Sequence, residues 1–254
     1  MHTTVQGLNT RYIDLPGEGE PVLLLQGWGA KIELYQPIFD LLQELGHRVV
    51  AFDFPGVGET DEPRSPMTLE DYAAFTLAFC ETIGLHEAVL FCHSHGGRVG
   101  ICLMARPDCP LTVKKAVLMD AAGVRLPAPA GQKLRQSGYK LLKSLGTGKL
   151  TAPLFGDLYE EARDKRASAD YKAASPVMRA TMNNVLVDLQ DKMPAVKAEV
   201  LLVYGENDTA TPVEYGRIME RLMPSAGLAV IRGAGHFSFA DNWPQFSAVI
   251  RAFL

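Results

Sequence analysis

Val89-Leu90-Phe91-Cys92-His93-Ser94-His95-Gly96-Gly97 is the stretch that decides the fold. Four apolar or small residues suited to a buried strand run into His-Ser-His, and paired glycines then open a segment, Arg98 to Ala105, that reads as a helix start. A strand that turns abruptly into a helix holds its corner residue in a strained conformation, with small residues beside it so that the two elements can approach. Ser94 sits at that corner. Its hydroxyl would project clear of the sheet, near a helix N-terminus whose N–H groups and dipole favour developing negative charge. An attacking serine needs those conditions, but a polar turn without chemistry reads the same way until Ser94 has partners.

Outward from this corner, strands and helices alternate. On the N-terminal side, Thr4 to Leu15 reads as a short hairpin closed by Pro16-Gly17-Glu18-Gly19, and Val22-Leu23-Leu24-Leu25 as a buried strand ending in the glycine-rich loop Gln26-Gly27-Trp28-Gly29. Tyr35, Ile38, Phe39, Leu41, Leu42 and Leu45 recur at helical spacing before Gly46. Arg48 to Phe52 is the next strand, ending in Asp53-Phe54-Pro55-Gly56-Val57-Gly58, a turn in which Asp53 reads as structural. Thr68 and Asp71 have the form of a capping box before a helix from Leu69 to Ile83. On the C-terminal side, Val113 to Met119 is a strand closing at Asp120-Ala121-Ala122-Gly123. The alternation predicts an α/β fold, a parallel sheet with helices on both faces.

The rhythm breaks from Val124 to Pro194. Apolar positions such as Leu134, Leu141, Leu145, Leu154, Leu158, Met178, Met182, Val185 and Leu189 suggest several helices with no strand between them. The expected organisation is therefore a core of residues 1–123 and 195–254 with a helical insertion, 124–194. The insertion carries about five more Lys and Arg than Asp and Glu, which leaves the rest of the chain near −9 against a total of −4. A solvated basic surface accounts for this excess, and attraction of an anionic substrate is the alternative. Alternation resumes with Val200 to Tyr204, Gly205-Glu206-Asn207-Asp208, a helix from Val213 to Met223, a strand at Ala229 to Arg232, Gly233-Ala234-Gly235-His236 and a last helix.

In a parallel α/β sheet, ligands bind where the carboxyl ends of the strands gather their loops. Ser94, Asp208 and His236 each follow a predicted strand, so all three face one edge. In that order they fit a nucleophile, an orienting acid and a proton-shuttling base. A tetrahedral intermediate also needs oxyanion donors. The backbone N–H of His95 is one by position, and that of Trp28, flanked by Gly27 and Gly29, is the expected second. Asp120 is the competing acid and reads as structural. The His95 side chain either lines the pocket or packs beneath the insertion.

From about Pro21 onward the chain resembles the α/β-hydrolase superfamily, in its small, cap-bearing branch. The resemblance rests on the elbow at Ser94, the Asp53-Phe54-Pro55-Gly56-Val57-Gly58 turn, Gly205-Glu206-Asn207-Asp208, and His236 followed by Pro244 and Phe246. It implies an eight-stranded, mostly parallel sheet whose second strand is antiparallel, and a helical cap inserted after strand 6. It gives Ser94, Asp208 and His236 the same roles. Two positions depart from the family pattern: Cys92 stands at the first glycine of G-x-S-x-G, and Gln26 stands where His usually precedes the oxyanion-loop glycine. Family members that cleave haloalkanes or epoxides use an aspartate nucleophile, which Ser94 argues against.

The expected activity is hydrolysis of a carboxylic ester or related acyl compound through an acyl-enzyme. Carbon–carbon bond hydrolysis or lactone opening with the same triad is the second reading, and a ligand-binding protein without turnover the third. The expected partner is a small-molecule substrate. Net charge −4, with no basic run, disfavours nucleic acid. No apolar run is long enough to span a bilayer, and the polar start lacks a secretion-signal pattern, so a cytoplasmic protein is expected. Cys80, Cys92, Cys102 and Cys109 have no C-x-x-C spacing, and His93-x-His95 straddles a sharp turn, so neither a metal nor another cofactor is expected.

Overall fold

The computed structural model describes residues 1–126, 144–145 and 174–254. Strands β1 (His2–Val5) and β2 (Leu8–Leu15) form the expected hairpin. Its two-residue turn, Gln6 at φ 48° and Gly7 at φ 79°, has the left-handed backbone that matches strand twist. The other strands are β3 (Gly19–Leu25), β4 (His47–Phe52), β5 (Val89–His93), β6 (Lys115–Met119), β7 (Glu199–Gly205) and β8 (Ala226–Ile231). They make one eight-stranded sheet in the order β1-β2-β4-β3-β5-β6-β7-β8. Only β2 opposes its neighbours; β4 through β8 run parallel.

The described helices are α1 (Gln36–Glu44), α2 (Leu69–Thr82), α3 (His95–Met104), α4 (Pro176–Val185), α5 (Val213–Leu222), α6 (Ser238–Asp241) and α7 (Trp243–Phe253). Side chains alternate between the faces of β3, so Leu23 and Leu25 pack in one core cluster with residues of α2 and α3. Val22 and Leu24 pack in the other, with residues of α1 and α7. The capping box forms as the sequence predicts: Asp71 N–H donates to Thr68 Oγ1 and Thr68 N–H to Asp71 Oδ2.

The helix after Ser94 differs from expectation. It begins at His95, before the paired glycines, because Gly96 and Gly97 are needed inside its first turn. A Cβ on Gly96 would collide with the Leu25 carbonyl, and one on Gly97 would lie 2.5 Å from Ala121 Cβ.

By contacts the chain divides into two compact units, Met1–Val124 with Ala180–Leu254, and Arg125–Arg179. The helices expected around Leu134 to Leu158 fall outside the described residues, Leu145 excepted. Residues 180–194, grouped with the insertion by sequence, pack in the larger unit. Val185 and Leu189 are buried in its core, Leu189 N–H donates to Gly123 O at 2.8 Å, and Thr181 Oγ1 accepts from Met67 N–H at 3.0 Å.

Candidate active site

The carboxyl ends of β3, β5, β6 and β7 and the loop after β8 supply the site. At the end of β5, Ser94 has φ 50° and ψ −107°, a conformation that costs a non-glycine residue about 1–3 kcal/mol. The chain accommodates Cys92 in place of a glycine through a second glycine. Gly100 of α3 faces Cys92, and a Cβ there would lie 2.6 Å from Cys92 Sγ. The absence of a side chain at position 100 leaves room for the Cys92 sulfur. Burial pushes the Cys92 thiol up, so it stays protonated.

The three residues singled out by sequence are brought together. Ser94 Oγ lies 3.0 Å from His236 Nε2, and His236 Nδ1 lies 2.8 Å from Asp208 Oδ2. Because a carboxylate only accepts, Nδ1 carries the imidazole proton and Nε2 presents its lone pair to the hydroxyl. Asp208 Oδ1 accepts from the N–H groups of Ala210 (2.7 Å) and Thr211 (2.9 Å), and Thr211 Oγ1 lies 2.6 Å from Oδ2. Burial alone would raise the Asp208 pKa, but hydrogen bonds from His236 and Thr211 outweigh it and hold the carboxyl below its usual range. Thr211 thus belongs to the constellation and carried no signal in the sequence.

Asp120 does not reach His236. Its carboxylate accepts from Gly205 N–H at 2.7 Å and Ser238 N–H at 3.0 Å, tying the ends of β6 and β7 to the start of α6. Burial pushes its pKa up to about 6. Asp53 is likewise committed to the scaffold, accepting from Ile32 N–H and pairing with Arg11.

Among the described residues, neither the Trp28 nor the His95 main-chain N–H has a hydrogen-bond acceptor. Gly96 N–H donates to Gln26 O at 3.0 Å, which ties the Gln26-Gly27-Trp28 loop to the first turn of α3. The His95 ring is buried among Trp28, Phe54 and Tyr72, with centroids 5.4, 5.6 and 4.9 Å away. Neither of its ring nitrogens has a hydrogen-bond partner among the described residues, and burial lowers its pKa to about 3. The Gln26 side chain is also buried without a partner among them. His93 sits in different surroundings, 2.9 Å from both Tyr35 Oη and the His236 carbonyl. Among the described residues no three His, Cys, Asp or Glu side chains are grouped to hold a metal ion, and no helix is long and apolar enough to cross a membrane.

Known proteins share this architecture along almost the whole chain. AB hydrolase superfamily protein YisY of Bacillus subtilis is 25% identical over 267 residues, covering 96% of this chain and 95% of its own. A 2-hydroxymuconate semialdehyde hydrolase of Pseudomonas putida is 23% identical over 252 residues, 94% of this chain and 88% of its own. Among solved structures, an esterase of Exiguobacterium antarcticum superposes with a TM-score of 0.74 at 21% identity, covering 100% of this chain and 99% of that one. The family model described as alpha/beta hydrolase fold matches residues 20–242, from the second residue of β3 to the cap of α7, and the chain therefore belongs to the alpha/beta hydrolase family.

Proposed function

We propose that this chain is a serine hydrolase acting on a carboxylic ester, with Ser94 as nucleophile, His236 as general base and acid, and Asp208 as the orienting carboxylate. The observation that carries the reading is the unbroken hydrogen-bonded line from Ser94 Oγ through the His236 ring to Asp208 Oδ2, with links of 3.0 and 2.8 Å. Its start at a strained strand-to-helix corner supports the same reading.

In the first step Ser94 Oγ bonds to the ester carbonyl carbon as its proton passes to His236 Nε2. Asp208, kept ionised, stabilises the imidazolium through Nδ1–H. The carbonyl oxygen becomes an oxyanion, which accepts from the N–H groups of Trp28 and His95, the latter at the positive end of α3. Collapse expels the alcohol, protonated by Nε2, and leaves an acyl-Ser94. Water, deprotonated by the same nitrogen, then releases the acid.

The test is a fluorophosphonate probe together with a panel of aryl, alkyl and lactone esters, applied to wild type and Ser94→Ala. Labelling at Ser94, with hydrolysis lost in the variant, supports the reading. Absence of labelling in folded protein favours a binding protein that keeps the fold without turnover. Hydrolysis of a carbon–carbon bond is a second reading, supported by the similarity to the Pseudomonas putida enzyme over 94% of this chain. Product analysis on a vinylogous diketone beside a simple ester separates the two.

A further inference from the structure

Tyr35, at the end of the 3-10 turn Ile32–Tyr35, and His93, the last residue of β5, are both almost fully buried. Both carry polar atoms that the triad does not use. The Tyr35 hydroxyl accepts from Gly27 N–H at 2.9 Å and lies 2.9 Å from His93 Nδ1. His93 Nε2 lies 2.9 Å from the main-chain oxygen of His236. The partners fix every proton in this line. A carbonyl only accepts, so Nε2 carries the ring proton and Nδ1 is the acceptor. The single hydroxyl proton of Tyr35 therefore goes to Nδ1, leaving an oxygen lone pair for Gly27 N–H. The line reads Gly27 N–H to Tyr35 O–H to His93 Nδ1, then His93 Nε2–H to His236 O=C, with no polar atom left over. Burial lowers the His93 pKa to about 4, which keeps the ring in this neutral form near neutrality.

The two ends of the line belong to the two halves of the site. Gly27 precedes Trp28, whose N–H is assigned to the oxyanion, and the His236 carbonyl belongs to the residue assigned as base. Steric contact adds to the link: a Cβ on Gly27 would lie 2.8 Å from His93 Nδ1 and 3.4 Å from Ser94 Cβ, so the loop rests directly on His93. The His93 ring also lies 5.1 Å from the His236 ring and 5.2 Å from that of Phe237, centroid to centroid.

We propose that Tyr35 and His93 form a buried brace that sets the distance between the oxyanion loop and the His236 loop, making both positioning residues for the acyl-transfer step. The inference rests on the serine-hydrolase reading above. Neither residue touches the reacting atoms; each acts through main-chain atoms beside residues that do. Removing the brace loosens both loops at once. It therefore penalises the transition state, where oxyanion donors and base must act together, more than it weakens substrate binding.

The test compares wild type, Ser94→Ala, Tyr35→Phe, His93→Leu and His93→Gln on an ester that the wild type turns over. Tyr35→Phe removes one oxygen, His93→Leu removes both polar atoms, and His93→Gln keeps a donor and an acceptor at similar spacing. Tyr35→Phe and His93→Leu are expected to lower kcat about 10- to 100-fold while KM stays within about two-fold. Affinity for an alkylboronic acid, a tetrahedral-intermediate mimic, should fall by the same factor as kcat/KM. His93→Gln should recover most of the loss. Folded Tyr35→Phe and His93→Leu proteins with a lowered Tm but wild-type kcat and boronate affinity would overturn the brace. If His93→Leu does not fold, Tyr35→Phe decides by the same criteria. Ser94→Ala separates the two levels: retained turnover in it overturns the serine reading and the brace together, whereas its inactivity beside an unaffected Tyr35→Phe overturns the brace alone.

Discussion

Substituting Gly100 by Ala tests whether Cys92 is tolerated at the elbow because the facing residue has no side chain. The added Cβ would lie 2.6 Å from Cys92 Sγ, 3.6 Å from Cys92 Cβ and 3.8 Å from Leu90 Cδ1. The last two are ordinary contacts and the first is not. Cys92 is short and fully buried, so its sulfur has no free end to swing away and β5 and α3 must separate slightly. Overpacking of this kind costs about 1–3 kcal/mol. Alanine in a helix interior returns about 1 kcal/mol over glycine. The net expectation for Gly100→Ala is a loss of about 0–2 kcal/mol. In a Cys92→Ala background the sulfur is gone, and the same change should stabilise by up to about 1 kcal/mol. The coupling energy of the cycle is then about 1–3 kcal/mol. Guanidinium unfolding midpoints of the four proteins, compared at constant slope, measure it. Equal effects of Gly100→Ala in both backgrounds, within about 0.5 kcal/mol, would refute steric compensation.

Other perturbations probe the remaining supports. Thr68→Ala removes the side-chain acceptor of the capping box and should cost about 1 kcal/mol of stability, read as a lower Tm with unchanged ester turnover. Thr211→Val keeps the shape of the side chain but deletes the hydroxyl 2.6 Å from Asp208 Oδ2; about a ten-fold fall in kcat at unchanged KM is expected, and an unaltered kcat would exclude Thr211 from the acid's support. Asp120, raised from 3.8 to about 6 in the folded chain, binds its proton more tightly there than when unfolded. Its contribution to stability therefore falls as pH rises from about 4 to about 6, and Asp120→Asn should remove that part of the pH–stability slope, measured by urea unfolding across this range.

The central sheet was legible because strands buried on both faces are continuous apolar runs, as in Val22 to Leu25 and Val200 to Tyr204. β8 was read to start at Ala229, three residues late, because Ala226-Gly227-Leu228 has a weak strand signature and pairs only through the ladder to β7. The start of α3 was misplaced for a similar reason. Glycines usually break helices, and only the packed neighbours Leu25 and Ala121 show why two are required here. The strand-end residues Ser94, Asp208 and His236 stood out because topology alone delivers them to one edge. Tyr35 and His93 did not, since their partners lie at sequence separations of up to 143 residues and exist only once the chain is folded, and Thr211, three residues from Asp208, reads as an ordinary polar turn residue until His236 folds against it. Tyr35 in particular reads as one more apolar position of a helix.

The two halves of the candidate site are held by different forces. At the elbow, Ser94 N–H donates to Met119 O, Ser94 O accepts from the N–H groups of Gly97 and Ala122, and Gly96 N–H donates to Gln26 O, each at 3.0 Å. Main-chain bonds from the ends of β3 and β6 thus hold Ser94 and the first turn of α3, with glycines at 96, 97 and 100 allowing the approach. The His236 loop has main-chain bonds of its own, such as Asn207 N–H to Ala234 O at 2.8 Å, and adds side chains to them. Gly235 N–H donates to Asp241 Oδ2, Ser238 N–H to Asp120 Oδ2, and the His236 carbonyl accepts from His93. A side chain added at one of these glycines must therefore displace its packed neighbours, and so removes stability along with activity. A substitution around the histidine deletes one polar contact and leaves the sheet intact, at a cost of about 1–3 kcal/mol per buried group left unpaired. On the serine-hydrolase reading, variants that fold normally but turn over slowly should therefore cluster at Tyr35, His93, Asp120 and Thr211, and not at the packed glycines of α3.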